Sequence, residues 1–295
     1  MVDVTLRDHR EFPHYVRQRM TWDLDRAYRE HLTAGDLAAL AEVSRERELT
    51  AVLSSREAEE IVFGRGPAFD EWRAVSPFLT FAVAVHLVAE RLAHASYIEE
   101  WIGPRRRVPV FAVAPLRQLV DDPLRRFFFV ELLSSYTHVA SGSTWVATRR
   151  GWRRRRFSEL DPVQLAGLLE AVPPSELPGV FRRLGDLALF LTGVFPDHTA
   201  TTSLGRPSAE ARLMRSAGVQ PSRVEPGSLS TFELLERLGA RWYGLAVQRS
   251  AAPSASVQAL ETIAAQFTDA RRFLNVVTDT YLFPLRDQWF GRPAA

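Results

Sequence analysis

The sequence predicts an all-α fold, a multi-helix bundle-like body with one small β-hairpin at about residues 143–157. Three observations support this fold class. Apolar residues recur three and four positions apart through most of the chain, as they do on one face of an α-helix. Serine, aspartate and proline stand where such segments begin, which is typical of helix starts. Residues 143–157 instead combine β-branched and aromatic residues around a glycine, which favours two strands and a turn.

In the first half, helices are predicted over residues 22–32, 34–48 and 54–64, and over 67–101 in two pieces separated at Pro77. Residues 103–109 are predicted to form a loop, followed by a short extended run. The next helix, over 121–140, is expected to start with Asp122 as its N-cap and Pro123 at the first helical position.

The segments STWVATR and WRRRRF flank Arg150 and Gly151, where we expect the hairpin turn because glycine readily adopts positive φ. A two-stranded hairpin is marginally stable alone in water. We therefore expect Trp145, Trp152 and Phe157 to anchor it on the helical body.

After the hairpin, a helix is predicted to begin with Asp161 as cap, Pro162 at the first position and Gln164 three residues after the cap. Further helices are predicted over 181–196, 209–217, 230–250 and 256–283, with a polar loop over 197–208. The chain is expected to form a single helical domain over 1–295. Two packed halves, 1–142 and 158–295, joined by the hairpin 143–157, remain open as the alternative.

One segment resembles a known group of proteins. LGDLALFLTGVFP (184–196), together with FTDARRFLNVVTD (267–279), resembles uncharacterised bacterial helical proteins that carry the pattern LGD-x-x-LF-x-x-G-x-FP. The resemblance covers roughly the last 110 residues. It implies a helical fold there and implies no activity.

Composition excludes several kinds of chemistry. All 37 basic residues are arginine, and Asn275 is the only asparagine, a bias typical of a GC-rich bacterial genome. Without lysine the chain cannot form a P-loop NTPase site or a lysine Schiff base. With no cysteine it has neither disulfides nor thiolate metal sites, which fits a cytoplasmic protein.

No membrane role is expected from the sequence. The N-terminus is charged and lacks the apolar core of a signal peptide. The longest apolar stretch, residues 77–89, is too short to span a bilayer and is predicted to be a buried helix.

The net charge of +2 is unevenly distributed along the chain. Residues 1–100 carry 12 arginines and 18 carboxylates (−6), residues 101–160 carry 12 and 4 (+8), and residues 161–295 carry 13 and 13 (0). A basic block therefore lies between an acidic segment and a neutral one.

The centre of this block is the hairpin, where six arginines occupy the eight positions from 149 to 156; we call it the basic hairpin. Its predicted partner-binding residues are Arg149, Arg150, Trp152, Arg153, Arg154, Arg155 and Arg156. Such a density of charge attracts an acidic protein surface or nucleic acid phosphates, and Trp152 could stack on a base. The alternative is a solvated hairpin whose arginines pair with carboxylates of residues 1–100.

A second group of residues raises the question of a metal site. His86, Glu90 and His94 are spaced by four and share one helical stripe, and Glu131 and His138 share a face of another predicted helix. Facing helices with these groups could hold iron, manganese or haem. The sequence contains neither Glu-x-x-His nor His-Glu-x-x-His, so hydrogen-bonded polar groups at a helix edge are the simpler interpretation.

A third group is a candidate pocket lined by Asp186, Tyr243, Asn275 and Asp279. Buried polar groups must find hydrogen-bond partners, so a structural network is the alternative, with Asp186 paired to Arg182 or Arg183.

Together these observations favour a non-enzymatic cytoplasmic interaction protein, with no cofactor, whose basic hairpin docks an acidic partner. The alternative is a helical-bundle enzyme that binds metal or haem through the histidine and glutamate cluster. A third hypothesis is a subunit of a larger complex, with the helices 230–250 and 256–283 as its contact face.

Overall fold

The computed structural model describes residues 23–41, 43, 47–64, 75–137, 141–148, 151–204, 207–220 and 229–283, with the backbone alone at 141–148 and 151–157. The predicted fold class is confirmed: an all-α body carries a β-hairpin at the predicted place. The helices are α1 Leu24–His31, α2 Ala34–Ala41, α3 Leu49–Leu53, α4 Arg56–Phe63, α5 Pro77–His94, α6 Ala114–Asp121, α7 Pro123–Ser135, α8 Pro162–Ala166, α9 Leu177–Val194, α10 Pro196–Thr201, α11 Pro207–Ser216, α12 Thr231–Arg249, α13 Ala255–Ala265 and α14 Phe267–Val277. The strands are β1 Ile98–Gly103, β2 Arg106–Val110, β3 Ser141–Thr148 and β4 Gly151–Ser158.

The core is built around α5 and the pair α9–α12. Every residue of α5 from Phe78 to Ala89 is buried, and α7 packs along it. The helices α9 and α12 make the most extensive helix pair, against which α13 and α14 pack. One cluster of buried apolar side chains extends from Tyr28 to Leu282, so it includes residues on both sides of the basic hairpin.

Glycines allow α12 to approach α9 and α14 closely. A Cβ at Gly185 of α9 would lie 2.4 Å from the Tyr243 ring of α12. A Cβ at Gly239 of α12 would lie 2.3 Å from the Phe267 ring of α14 and 2.9 Å from the Ala188 Cβ of α9. Real Cβ atoms do not make such short contacts, so these positions require glycine.

The prediction for residues 95–109 is wrong. The helix ends at His94, and β1 and β2 form an antiparallel hairpin in place of the predicted helix end and loop. The reason lies in tertiary contacts of Trp101. Its ring packs against Phe232 with centroids 4.3 Å apart and the ring planes tilted by 34°, and its indole N–H donates to Asp197.

Two other predictions needed correction. Part of the polar loop predicted at 197–208 is helical, because α10 begins at Pro196 and ends at Thr201. The last long helix is interrupted at Gln266, whose φ of −116° and ψ of 36° are not helical. The break separates α13 from α14 and places Phe267 against Gly239 and Tyr243. A π-helical turn at Thr278–Leu282 follows α14.

Candidate functional site

The basic hairpin forms a two-stranded sheet of its own. The strands β3 and β4 pair antiparallel from Ser141↔Ser158 to Thr148↔Gly151. The turn was predicted at Arg150 and Gly151; Gly151 belongs to β4 instead, and Arg150 lies outside the described residues. Eight residues at about 3.4 Å each make the strands roughly 27 Å long.

The hairpin meets the helical body mainly through α8, the helix that directly follows β4. The register places Arg153 to Arg156 opposite Val146 to Ser143. Arg149 and Arg150 lie outside the described residues, as do the side chains of Trp145, Trp152, Arg153, Arg154, Arg155, Arg156 and Phe157.

Arg183 of α9 joins the two ends of the hairpin at its base. Its guanidinium donates to the Ser135 hydroxyl (2.7 Å) just before the hairpin, and to Glu159 (3.1 Å) just after it. The same guanidinium lies 4.0 Å from the centroid of the Tyr136 ring, a cation–π contact. One side chain of α9 therefore bonds both the end of α7 and the residue that follows β4.

A buried carboxyl group lies one turn further along α9. Asp186 accepts a hydrogen bond from the Tyr243 hydroxyl (2.8 Å), and Arg182 lies 3.9 Å from its other oxygen. Burial raises the pKa of Asp186, although Arg182 and the bond from Tyr243 act in the opposite direction. Burial also raises the pKa of Tyr243 and of Tyr136 well above the usual value for a phenol. The hydrogen bond between Tyr243 and Asp186 links α12 to α9.

The other two residues of the predicted pocket lie elsewhere. The Asn275 side-chain amide donates to the Thr192 and Gly193 carbonyls (3.2 and 2.7 Å) and accepts from Arg271 (2.8 Å). Asp279 makes a bidentate ion pair with Arg107 of β2, at 2.9 and 3.2 Å. Only Asp186 and Tyr243 of the four are therefore in contact.

The residues of the predicted metal site are not brought together either. His86 is fully buried and shares a 2.8 Å hydrogen bond with the Tyr28 hydroxyl through Nε2, whereas Glu90 and His94 are exposed. Glu131 lies 3.6 Å from Arg182, and His138 lies outside the described residues. In the described part of the chain no three histidine or carboxylate side chains are grouped to hold a metal ion.

Burial lowers the pKa of His86 to about 3, and the positive charge of Arg126 contributes in the same direction. The ring is therefore neutral at physiological pH. Its Nδ1 has no hydrogen-bond partner among the described residues, so the ring is held by Tyr28 and by aromatic packing.

The structure also contains a polar network that the sequence did not predict. Arg271 is only 4% exposed and bonds Glu236 (2.9 Å), Glu100 (3.2 Å) and Asn275. Glu100 also accepts from Arg272 (2.7 Å). The network joins β1, α12 and α14, elements far apart in the chain, which is why no local pattern indicated it.

A groove of about 910 Å³ lies between α8, the 3-10 turn Gly167–Glu170 and α11. Val163, Leu169 and Leu204 contribute apolar surface to it, and Arg212 and Arg215 contribute positive charge. These two arginines were not predictable as a site because α11 has an ordinary mixed composition.

No family model, curated protein or solved structure matches this chain. The resemblance to helical proteins with the LGD-x-x-LF-x-x-G-x-FP pattern therefore stays a prediction. None of the described helices is long and apolar enough to cross a membrane.

Proposed function

We propose that the protein is a non-enzymatic, cytoplasmic interaction protein whose basic hairpin docks an acidic partner, either a protein surface or nucleic acid. One observation carries this proposal. The segment with six arginines in eight positions lies on a hairpin whose strands pair with each other and meet the body mainly through α8. An element of this charge attracts acidic macromolecules before any specific contact forms.

The charge pairs of the body support the proposal. Several carboxylates of the first 100 residues, which the solvated-hairpin alternative would require, already pair with other arginines. These pairs are Asp25–Arg29, Glu30–Arg26, Glu60–Arg56, Glu59–Arg91 and Glu100 with Arg271 and Arg272. At the hairpin base, Glu159 is bonded to Arg183.

The anchoring of the hairpin is the second support. Arg183 of α9 bonds Ser135, at the end of α7, and Glu159, directly after β4, so segments on both sides of the hairpin are held to α9. An element held at its base loses less conformational entropy on binding than a free chain does. A reducing compartment is consistent with a chain that uses no cysteine.

The test measures the affinity of the full chain for two fluorescent probes, polyglutamate and a DNA duplex of about 20 base pairs, by anisotropy at low salt. The hairpin variant replaces Arg153, Arg154, Arg155 and Arg156 by alanine. The control variant removes the same charge from the helical body by replacing the exposed residues Arg26, Arg29, Arg56 and Arg237. Circular dichroism checks that both variants fold.

We expect the hairpin variant to lose about tenfold or more in affinity for whichever probe binds, and the control variant to lose much less. Added salt should weaken wild-type binding, because releasing bound counterions yields less free energy when the salt concentration is high. Unchanged binding by the hairpin variant would contradict the proposal. An equal loss in both variants would also contradict it, because bulk charge would then explain the binding.

A further inference from the structure

The groove beside the hairpin indicates which kind of acidic partner the protein takes. α8 contacts β4 and also contacts α11, so the basic hairpin and the groove both adjoin this short helix. Val163 and Ala166 of α8 line the groove on one side, and Arg212 and Arg215 of α11 line it on the other. A partner bound to the hairpin is therefore close to the groove.

The groove combines an apolar floor with positive charge at its edge. Val163, Leu169 and Leu204 are only partly buried, so their exposed apolar surface is available for a partner to cover. Arg212 and Arg215 are three residues apart and share one face of α11. The ten residues of α11 make this wall about 15 Å long, nearly three turns of a helix laid beside it.

The chemistry of the floor favours a protein segment over a nucleic acid. The described residues that line the groove include aliphatic side chains and no aromatic ring. Proteins that bind single strands stack bases on aromatic rings, and duplex binding relies on polar donors to phosphates. Aliphatic surface with flanking arginines instead complements a helix with leucine-like side chains on one face and carboxylates beside them.

The Glu170 carboxylate would compete with the carboxylates of such a helix for Arg212. This carboxylate, 67% exposed, lies 3.2 Å from the Arg212 guanidinium. An incoming carboxylate on Arg212 would have to displace Glu170. Arg215 is exposed and makes no ion pair with the described carboxylates.

We infer that the partner is an acidic amphipathic helix of another protein, whose aliphatic face lies in the groove between α8 and α11 and whose carboxylates meet Arg212, Arg215 and the basic hairpin. This inference rests on the proposed function and narrows it to one class of partner.

The test uses two fluorescent peptides of about 18 residues made of leucine, alanine and glutamate, long enough for five helical turns. In the first peptide the leucines recur three and four positions apart; the second has the same composition in an order that spreads them around the helix. A DNA duplex of about 20 base pairs is the third probe. We expect the full chain to bind the amphipathic peptide about tenfold more tightly than the permuted one, and more tightly than the duplex.

Two groove variants should change the affinity for the amphipathic peptide in opposite directions. Arg215→Glu should lower it to the level of the permuted peptide, because a cation becomes a repelling anion. Glu170→Gln should raise it several-fold, because the competing carboxylate is removed. Arg237→Glu, an exposed arginine on α12, and Glu176→Gln, an exposed glutamate, are the matched controls.

The outcomes separate this inference from the proposed function. Equal affinity for both peptides, or tighter binding of the duplex, would overturn the inference; the proposed function would stand if the hairpin variant still lost binding. A dimer of the free chain abolished by Leu169→Asp would also overturn it, because a second copy would then occupy the groove. Unchanged binding of all probes by the hairpin variant would overturn both.

Discussion

His86 illustrates how burial decides the role of a titratable side chain. The sequence placed it on one stripe with Glu90 and His94, which suggested a ligand set. The three residues differ in exposure because the stripe leaves the core as α5 ends: His86 is buried, and the other two are exposed. A fully buried imidazole that is hydrogen-bonded to a tyrosine stabilises the core only while it is neutral.

Stability should therefore depend on pH through His86. The unfolded chain takes up a proton at this residue below pH 6.5, whereas the pKa in the folded state is about 3. Because the unfolded state binds more protons in this window, the free energy of unfolding falls as the pH decreases from 6.5 towards 3, by up to ~1.4 kcal/mol per pH unit.

Urea denaturation of wild type and His86→Gln between pH 7.5 and 4.5 measures this dependence. The variant should show a smaller loss of stability with decreasing pH than wild type does. His94→Gln, at the exposed end of the same helix, should behave like wild type. If the free energy of unfolding depended on pH equally in wild type and His86→Gln, this would contradict a neutral, buried His86.

The two buried tyrosines near Asp186 make a second prediction. Tyr243→Phe removes the hydrogen bond to a buried carboxyl group and should lower the free energy of unfolding by about 1–3 kcal/mol. Tyr136→Phe should cost almost nothing, because the Tyr136 hydroxyl has no partner among the described residues. Chemical denaturation at pH 7 compares the two. A larger loss of stability for Tyr136→Phe than for Tyr243→Phe would contradict the hydrogen bond between Tyr243 and Asp186.

At the scale of elements, helix starts were predictable because their signals are local. Asp161 accepts from the backbone N–H groups of Val163 and Gln164, at 2.9 and 3.0 Å, as its position before Pro162 predicted. Asp122 caps α7 through the N–H of Leu124 in the same way. A cap needs only residues within one turn, so the sequence contains all the information.

The first hairpin was not predictable on this basis. What holds β1 is the contact of Trp101 with Asp197 and Phe232, residues 96 and more positions away. The break at Gln266 has a similar origin, since it places Phe267 against Gly239. For the candidate site, the basic hairpin was evident from its arginines, whereas the groove was not, because α8 and α11 meet only in the folded chain.

The packing of α12 against α9 and α14 predicts opposite effects for two glycines of α12. Gly239→Ala would place a Cβ 2.3 Å from the Phe267 ring and should lower the free energy of unfolding by about 1–3 kcal/mol. Gly244→Ala meets no atom within 4 Å and should raise it by up to about 1 kcal/mol, because alanine favours helix. Thermal and urea denaturation measure both. Stabilisation by Gly239→Ala would contradict the close approach of the helices.

At the scale of the whole molecule, the distribution of charge is the feature that matters most for function. The net charge is only +2, although a segment with a charge of +8 lies between an acidic segment and a neutral one. In the helical body, arginines and carboxylates pair locally, as in Arg26–Glu30, or across elements, as in Arg107–Asp279. In the basic hairpin, by contrast, four consecutive residues of one strand are arginine, and no carboxylate alternates with them in the sequence.

The most direct test of the central claim is hydrogen–deuterium exchange of the full chain with and without saturating polyglutamate at low salt. Docking on the basic hairpin predicts slower exchange of the amides of β3 and β4, and little change in the helices far from it. The protection should disappear when salt is added. Protection confined to other elements, with β3 and β4 unchanged while polyglutamate is bound, would contradict the account.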